Sequence, residues 1–141
     1  MTTITPQDID TLFTGAHTHS HWLDKPVDEA LLVRAYDLAK MAPTSANCQP
    51  MRIVFVRSGE AKERLKPCLA PGNIEKSMTA PVVAIIGMDM AFYDHLPKLY
   101  PHTDARSWFA GNEQAIFSTA FRNGSLQGAY FLMALRALGL D

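Results

Sequence analysis

Apolar residues recur at Leu31, Leu32, Ala35, Leu38 and Ala39, one stripe of a 3.6-residue period. Pro26 and Asp28 stand before this stripe and Pro43 after it, so the spacing predicts a helix that begins near Asp28 and stops ahead of Pro43. A weaker helical pattern, Leu12 and Phe13 behind Asp8 and Asp10, comes earlier. Between the two, Gly15-Ala-His-Thr-His-Ser-His-Trp22 follows neither the helical nor the strand period and reads as an ordered loop or a short extended piece. Past Pro50, residues 52–57 (Arg-Ile-Val-Phe-Val-Arg) are β-branched and aromatic and predict a strand. Ser58 caps a short helix over 60–66 that ends at Pro67, and the breaker cluster Ala70-Pro-Gly-Asn73 introduces another polar helical turn. Residues 82–86 (Val-Val-Ala-Ile-Ile) predict a second strand, apolar on both faces, as expected of a central strand covered by helices on each side.

Residues 91–110 are rich in Tyr, Pro and His and irregular in pattern. From 112 to 138 the chain predicts one long helix, apolar at Ile116, Ala120, Leu126, Ala129, Leu132, Met133 and Leu138. Gly139 fits the left-handed position after its end, with Leu140 closing onto Leu135 in a Schellman arrangement. Gly124 and Gly128 each cost this helix about 1 kcal/mol relative to Ala. Such a cost implies the close approach of another backbone, a flat cofactor or a second subunit. Helices separated by strands make an α/β or α+β sandwich. Its long helix carries more apolar positions than the remaining chain covers, which points to an obligate oligomer or to a sequence cut short.

At 141 residues the chain is one domain, 1–141, with a real core. Thirteen Lys and Arg against fourteen Asp and Glu give a net charge of -1, which leaves no cation surplus for a nucleic-acid backbone. Cys48 and Cys68 form neither a CxxC motif nor a disulfide framework, and the N-terminus lacks the features of a secretory signal. The longest apolar runs fall short of the roughly 20 residues of a membrane helix, so the sequence reads as soluble and cytoplasmic, without membrane or nucleic-acid partners.

Candidate chemistry gathers in Ala42-Pro-Thr-Ser-Ala-Asn-Cys-Gln-Pro50, where short polar residues between two prolines suit the edge of a planar heterocycle. Asn47 offers a donor and an acceptor, as a uracil-like edge requires, while a helix stop followed by a turn explains the same composition. His17, His19 and His21 alternate and, if extended, point three imidazoles to one side, where they would bind zinc or, with Thr18 and Ser20, a phosphate. Asn73 and Lys76 share one face of a helical turn, and a solvated turn is the alternative. Arg106 beside Trp108 and Phe109 suits a carboxylate held against an apolar wall, or an arginine stacked for packing. No GxGxxG, Walker, HExxH or GxSxG pattern occurs.

Taken in order, Trp22 and Lys25-Pro-Val27, the amphipathic helix, Ala42-Pro-Thr-Ser-Ala-Asn47-x-Gln-Pro50 and the strand behind it resemble the FMN-dependent nitroreductase family. The elements Pro101-His-Thr-Asp-Ala-Arg-Ser-Trp-Phe109, Thr119-Ala-Phe-Arg-Asn123 and Arg136-Ala-Leu-Gly-Leu-Asp141 resemble its RutE/HadB-like branch, which includes malonic semialdehyde reductase of pyrimidine breakdown. The resemblance covers essentially the whole chain. It implies an α+β sandwich with a mainly antiparallel central sheet flanked by helices, a homodimer, FMN at the subunit interface, and NADH or NADPH as reductant of a small aldehyde, nitro or quinone acceptor. It carries over His17, Thr18 and His19 toward the FMN phosphate, Pro43, Thr44, Ser45 and Asn47 toward the flavin, and Asn73 and Lys76 toward its ring edge and ribityl chain. Arg106 becomes the candidate for the acceptor's carboxylate. No side chain is implied as a nucleophile, because the flavin carries the chemistry, and no metal is implied. Family chains continue beyond the position of Asp141, so the sequence reads as the first part of such an enzyme. Two other readings stand beside it: a non-catalytic dimerising module with weak or no flavin binding, and a metal binder using the histidine loop.

Overall fold

The computed structural model describes residues 3–141; the first two residues of the domain read from the sequence lie outside it. The chain opens with a capping box, in which the Thr5 hydroxyl accepts from the Asp8 N–H and the Asp8 carboxylate accepts from the Thr5 N–H. Helix α1 (Pro6–Ile9) runs directly into a wide turn, Asp10–Thr14. Helix α2 (Glu29–Ala39) starts where Asp28 accepts the Ala30 N–H and buries Leu32, Ala35 and Ala39. Strand β1 (Met51–Val56) is followed by α3 (Gly59–Leu65), capped by Ser58, and by α4 (Ile74–Thr79) behind the single turn Pro71–Asn73. Strand β2 (Val83–Met88) leads through short turns and α5 (Leu96–Leu99) to α6 (Glu113–Ala137), whose first turn is capped by the Asn112 side chain.

The two strands pair antiparallel, with Met51 opposite Met88 and Val56 opposite Val83. The fold is α+β, as the sequence predicts. Because side chains alternate along a strand, Met51, Ile53 and Phe55 share a face with Ala84, Ile86 and Met88, and that face meets α6 and α2. The expectation that β2 is covered on both sides fails. Val54 and its partner Ile85 lie on the other face and are 59% and 40% exposed, and Ile86 on the first face is itself 42% exposed, so β2 is only partly covered among the described residues.

The core falls into two clusters. Ala35, Ala39, Met51, Phe131 and Ala134 join α2, β1 and the second half of α6. Cys48, Phe92, Leu96, Ala105, Phe109, Ile116 and Ala120 join the segment over 91–110 to the first half of α6. That segment is irregular in sequence yet holds two of the most deeply buried side chains, Phe92 and Leu96, each on a single helical turn. The long helix forms one residue inside the boundaries read from the sequence at each end, but its core stripe is Ile116, Ala120, Asn123, Gly124, Gln127, Phe131 and Ala134. Leu126, Ala129 and Leu132 face outward, so the apolar pattern after Ala120 gives the wrong phase. Its end is a full Schellman motif: Gly139 lies at φ 79°, its N–H donates to the Arg136 carbonyl, and the Leu140 N–H donates to the Leu135 carbonyl at 3.0 Å.

Gly124 and Gly128 are explained within the chain. A Cβ on Gly124 would lie 3.3 Å from the Met88 Cβ, and one on Gly128 3.6 Å from the Ile86 Cγ2, so the close neighbour is β2. Among the described residues no helix is long and apolar enough to cross a membrane.

Candidate functional site

Residues 43–50 connect α2 to β1 through a backbone that L-residues avoid. Ala46, Asn47 and Gln49 have φ of 49°, 50° and 44°, in the left-handed region, at a cost of about 1–2 kcal/mol for each non-glycine residue. Such a loop persists only if its surroundings hold it, and α6 supplies the hold. The Ser45 N–H donates to Asn123 Oδ1 and the Met51 N–H to Gln127 Oε1, both at 2.9 Å, while the Tyr130 hydroxyl donates to the Pro43 carbonyl at 3.1 Å. From Gln127 the network continues outward. Its Nε2 donates to Gln49 Oε1, Gln49 Nε2 donates to Asn47 Oδ1 at 2.9 Å, and Asn47 Nδ2 donates to the Leu99 carbonyl at 2.9 Å. The Gln49 N–H closes the loop on Thr44 Oγ1 at 3.3 Å.

Asn123 and Gln127 are buried, Gln127 to 2% exposure, and no buried side-chain polar atom among the described residues lacks a partner. Two buried amides on an apolar stripe are costly unless satisfied, and here the strained loop satisfies them. Asn47 therefore spends one N–H and one lone pair inside the protein and keeps one of each at an exposed side chain. The exposed Ser45 hydroxyl makes no hydrogen bond among the described residues. Cys48, between Asn47 and Gln49, points into the core, where burial pushes its thiol pKa up.

The supporting residues Asn123, Gln127 and Tyr130 are absent from the sequence-derived candidates. Their signal is legible in retrospect: Asn123 and Gln127 are polar residues at the i+7 and i+11 positions of the stripe that begins at Ile116.

The N-terminal loop is anchored at three places. Arg136 Nη1 donates to the Leu12 carbonyl at 3.2 Å, the Trp22 indole donates to the Lys76 carbonyl at 2.7 Å, and Arg57 Nη2 donates to the Val27 carbonyl at 2.7 Å. His17, Thr18 and His19 are exposed between these anchors, and the rings of His17 and His19 meet edge to face at 6.5 Å. His19 Nε2 lies 3.8 Å from Asp141 Oδ2. Bends at Ser20 and His21 break the extended alternation that a three-imidazole zinc site needs. The described residues contain no group of three His, Cys, Asp or Glu placed to share a metal ion.

Asn73 precedes α4 without capping it through its side chain, and Lys76 lies in that helix, half-buried and with no carboxylate within ion-pair reach among the described residues. The Trp22 indole bond ties this helix directly to the histidine loop. Arg106 departs from its expected setting. Its Nε donates to Asp94 Oδ1 at 2.9 Å and its guanidinium lies 5.6 Å from the Tyr93 ring centre. Phe109 belongs to the core, edge to face with Phe92, while Trp108 leans on Tyr100 and on Phe109 at 6.5 Å. The terminal guanidinium nitrogens make no hydrogen bond among the described residues.

Residues 14–141 match the nitroreductase family. The chain belongs to that family. The match takes in every candidate residue from His17 to Arg106. A Burkholderia lata protein named "putative NADH dehydrogenase/NAD(P)H nitroreductase" is 63% identical over all 141 residues, which span 72% of its length. A Polynucleobacter asymbioticus protein of the same name is 58% identical over 135 residues, 96% of this chain and 69% of that one. Among solved structures, a nitroreductase-like protein of Exiguobacterium sibiricum, determined in complex with FMN, superimposes with a TM-score of 0.83 at 20% identity, over 99% of this chain and 74% of its own. That likeness establishes the nitroreductase fold for the chain.

Proposed function

We propose that this chain is the FMN-binding part of an NAD(P)H oxidoreductase that reduces a small acceptor, an aldehyde such as malonic semialdehyde or a nitro or quinone compound. The observation that carries this reading is the strained loop over 43–50, held open by α6, within a chain 63% identical to a protein named for NAD(P)H nitroreductase activity. A protein bears several kcal/mol of backbone strain where the strained geometry is used.

The donor set fits a flavin mononucleotide. Pro43, Thr44, Ser45 and Asn47 present short polar groups and one spare amide donor and acceptor to its ring. His17, Thr18 and His19 would hold its phosphate. Asn73 and Lys76 would reach its ring edge and ribityl chain, and an unpaired, half-buried ammonium favours an anionic neighbour. When bound, FMN supplies the capacity to accept a hydride from a nicotinamide and to deliver it to the acceptor. The protein's own residues bind and orient, and none serves as a nucleophile. Arg106 keeps its free guanidinium end for an acceptor carboxylate, and a homodimer places a second copy against the exposed apolar surface.

Purified protein should carry the visible absorption of oxidised flavin, or acquire it on titration with FMN, and NADH or NADPH should bleach it. Asn47→Ala and Lys76→Ala should each weaken FMN retention about tenfold or more, as expected from losing a hydrogen bond of about 1.5–3 kcal/mol to a charged or polarised group. A protein that stays colourless through the titration overturns the reading and leaves a dimerising module without flavin.

A further inference from the structure

The three linked amides of the loop have no freedom of orientation. Their chain ends on backbone groups of fixed polarity: the Met51 N–H can only donate, and the Leu99 carbonyl can only accept. Gln127 must turn Oε1 to Met51, which leaves Nε2 for Gln49. Gln49 must then show Oε1 to Gln127 and Nε2 to Asn47, and Asn47 must show Oδ1 to Gln49 and Nδ2 to Leu99. Turning any one amide over sets two donors or two acceptors against each other. Polarity thus passes outward, from a side chain 2% exposed in α6 to an exposed one in the loop.

We propose that Gln127, acting through Gln49, is a positioning residue that works with the Leu99 carbonyl to lock the hydrogen-bonding face Asn47 offers to a planar heterocyclic ligand. The identity of that ligand rests on the flavin reading above, whereas the polarity argument rests on the hydrogen bonds alone. Glutamate at 127 isolates the effect, because it replaces one donor nitrogen by an acceptor oxygen of nearly the same size. Burial raises the pKa of the introduced carboxyl, and its neutral form still donates to Gln49; once ionised at higher pH it has no proton for Gln49, which must then turn over to donate to it and present its oxygen to Asn47. Asn47 then turns in its place and sets Oδ1 against the Leu99 carbonyl. The last link breaks.

The test compares the parent chain with Gln127→Glu and Gln49→Met, the latter severing the relay at a half-buried position without burying a charge. Hydrogen exchange of the Asn47 side-chain amide, followed by NMR without ligand, reports the relay, and titration with FMN reports its consequence. Gln49→Met at neutral pH, and Gln127→Glu at a pH where its carboxyl is ionised, should speed exchange of the Asn47 proton that faces Leu99 at least tenfold over the parent at the same pH and raise the FMN dissociation constant at least tenfold. If Gln127→Glu fails to fold, Gln49→Met decides alone. Unchanged Asn47 exchange in Gln49→Met overturns the relay, and faster exchange with unchanged FMN affinity overturns its positioning role. Absence of FMN binding by the parent chain defeats the flavin reading, while the exchange measurement still judges the relay.

Discussion

Arg106 and Cys48 show how far a residue's neighbours decide its use. Arg106 is paired to Asp94 through one nitrogen, and both partners are about half exposed, so the pair adds no more than about 1 kcal/mol to stability. Arg106→Gln should accordingly leave the fold intact. If the free guanidinium end reads an acceptor carboxylate, kcat/KM for a semialdehyde acid should fall tenfold or more, about 1.4 kcal/mol, with turnover of an uncharged nitroaromatic unchanged. Equal losses on both acceptors would confine Arg106 to its pair with Asp94. Cys48 and Cys68 differ more sharply, one buried and one exposed. Burial raises the Cys48 pKa, so the folded state favours the neutral thiol. Its contribution to stability is therefore complete below the unfolded thiol pKa of about 8.5 and is lost as pH rises above it, because the unfolded chain gains by ionising. A thiol reagent at pH 8 should find one reactive cysteine in the native protein and two after unfolding, and two in the native protein would place Cys48 outside the core.

At the scale of the element, α6 carries the clearest contrast. A Cβ at Gly128 meets the Ile86 side chain at an ordinary 3.6 Å, so Gly128→Ala should recover helix propensity and stabilise the protein by up to about 1 kcal/mol in chemical denaturation. A Cβ at Gly124 meets the Met88 Cβ at 3.3 Å, an atom fixed to the backbone of β2, so Gly124→Ala should gain nothing or lose stability. Equal gains at both sites would show that the helix and strand separate freely. What was legible in the sequence divides along the same line. Asp28, Ser58, Asn112 and Gly139 mark their helix ends through local hydrogen bonds, and these boundaries appear within about a residue of where they were read. The single turns around Phe92, Leu96 and Ala105 have no period of their own and are fixed by packing on α6 and Cys48, which spacing does not reveal. Within the candidate site, the motif over 43–50 was legible by composition, but its support was not, since Asn123 and Gln127 act across 78 positions of sequence.

The whole molecule leaves apolar area in the open. Val54 and Ile85 are exposed as a cross-strand pair on the sheet, and Phe117 and Phe121 stack on each other at 5.9 Å while 53% and 56% exposed on α6. Of the readings open for Gly124 and Gly128, the close approach of another backbone is met by β2, so a contact between copies is expected among the exposed residues instead. A large apolar patch left exposed is uncommon on a monomer and marks an interaction face. We therefore expect a dimer at micromolar concentration in sedimentation, with the paired phenylalanines at its contact. Phe121→Lys adds a charge to an exposed position and removes no core contact, so it should leave the unfolding transition nearly unchanged while shifting the protein toward monomer. Because the flavin reading places a second copy beside the cofactor, the same variant should retain FMN less well. A Phe121→Lys protein that remains dimeric would move the contact to the open face of the sheet, where Val54→Lys is the corresponding test.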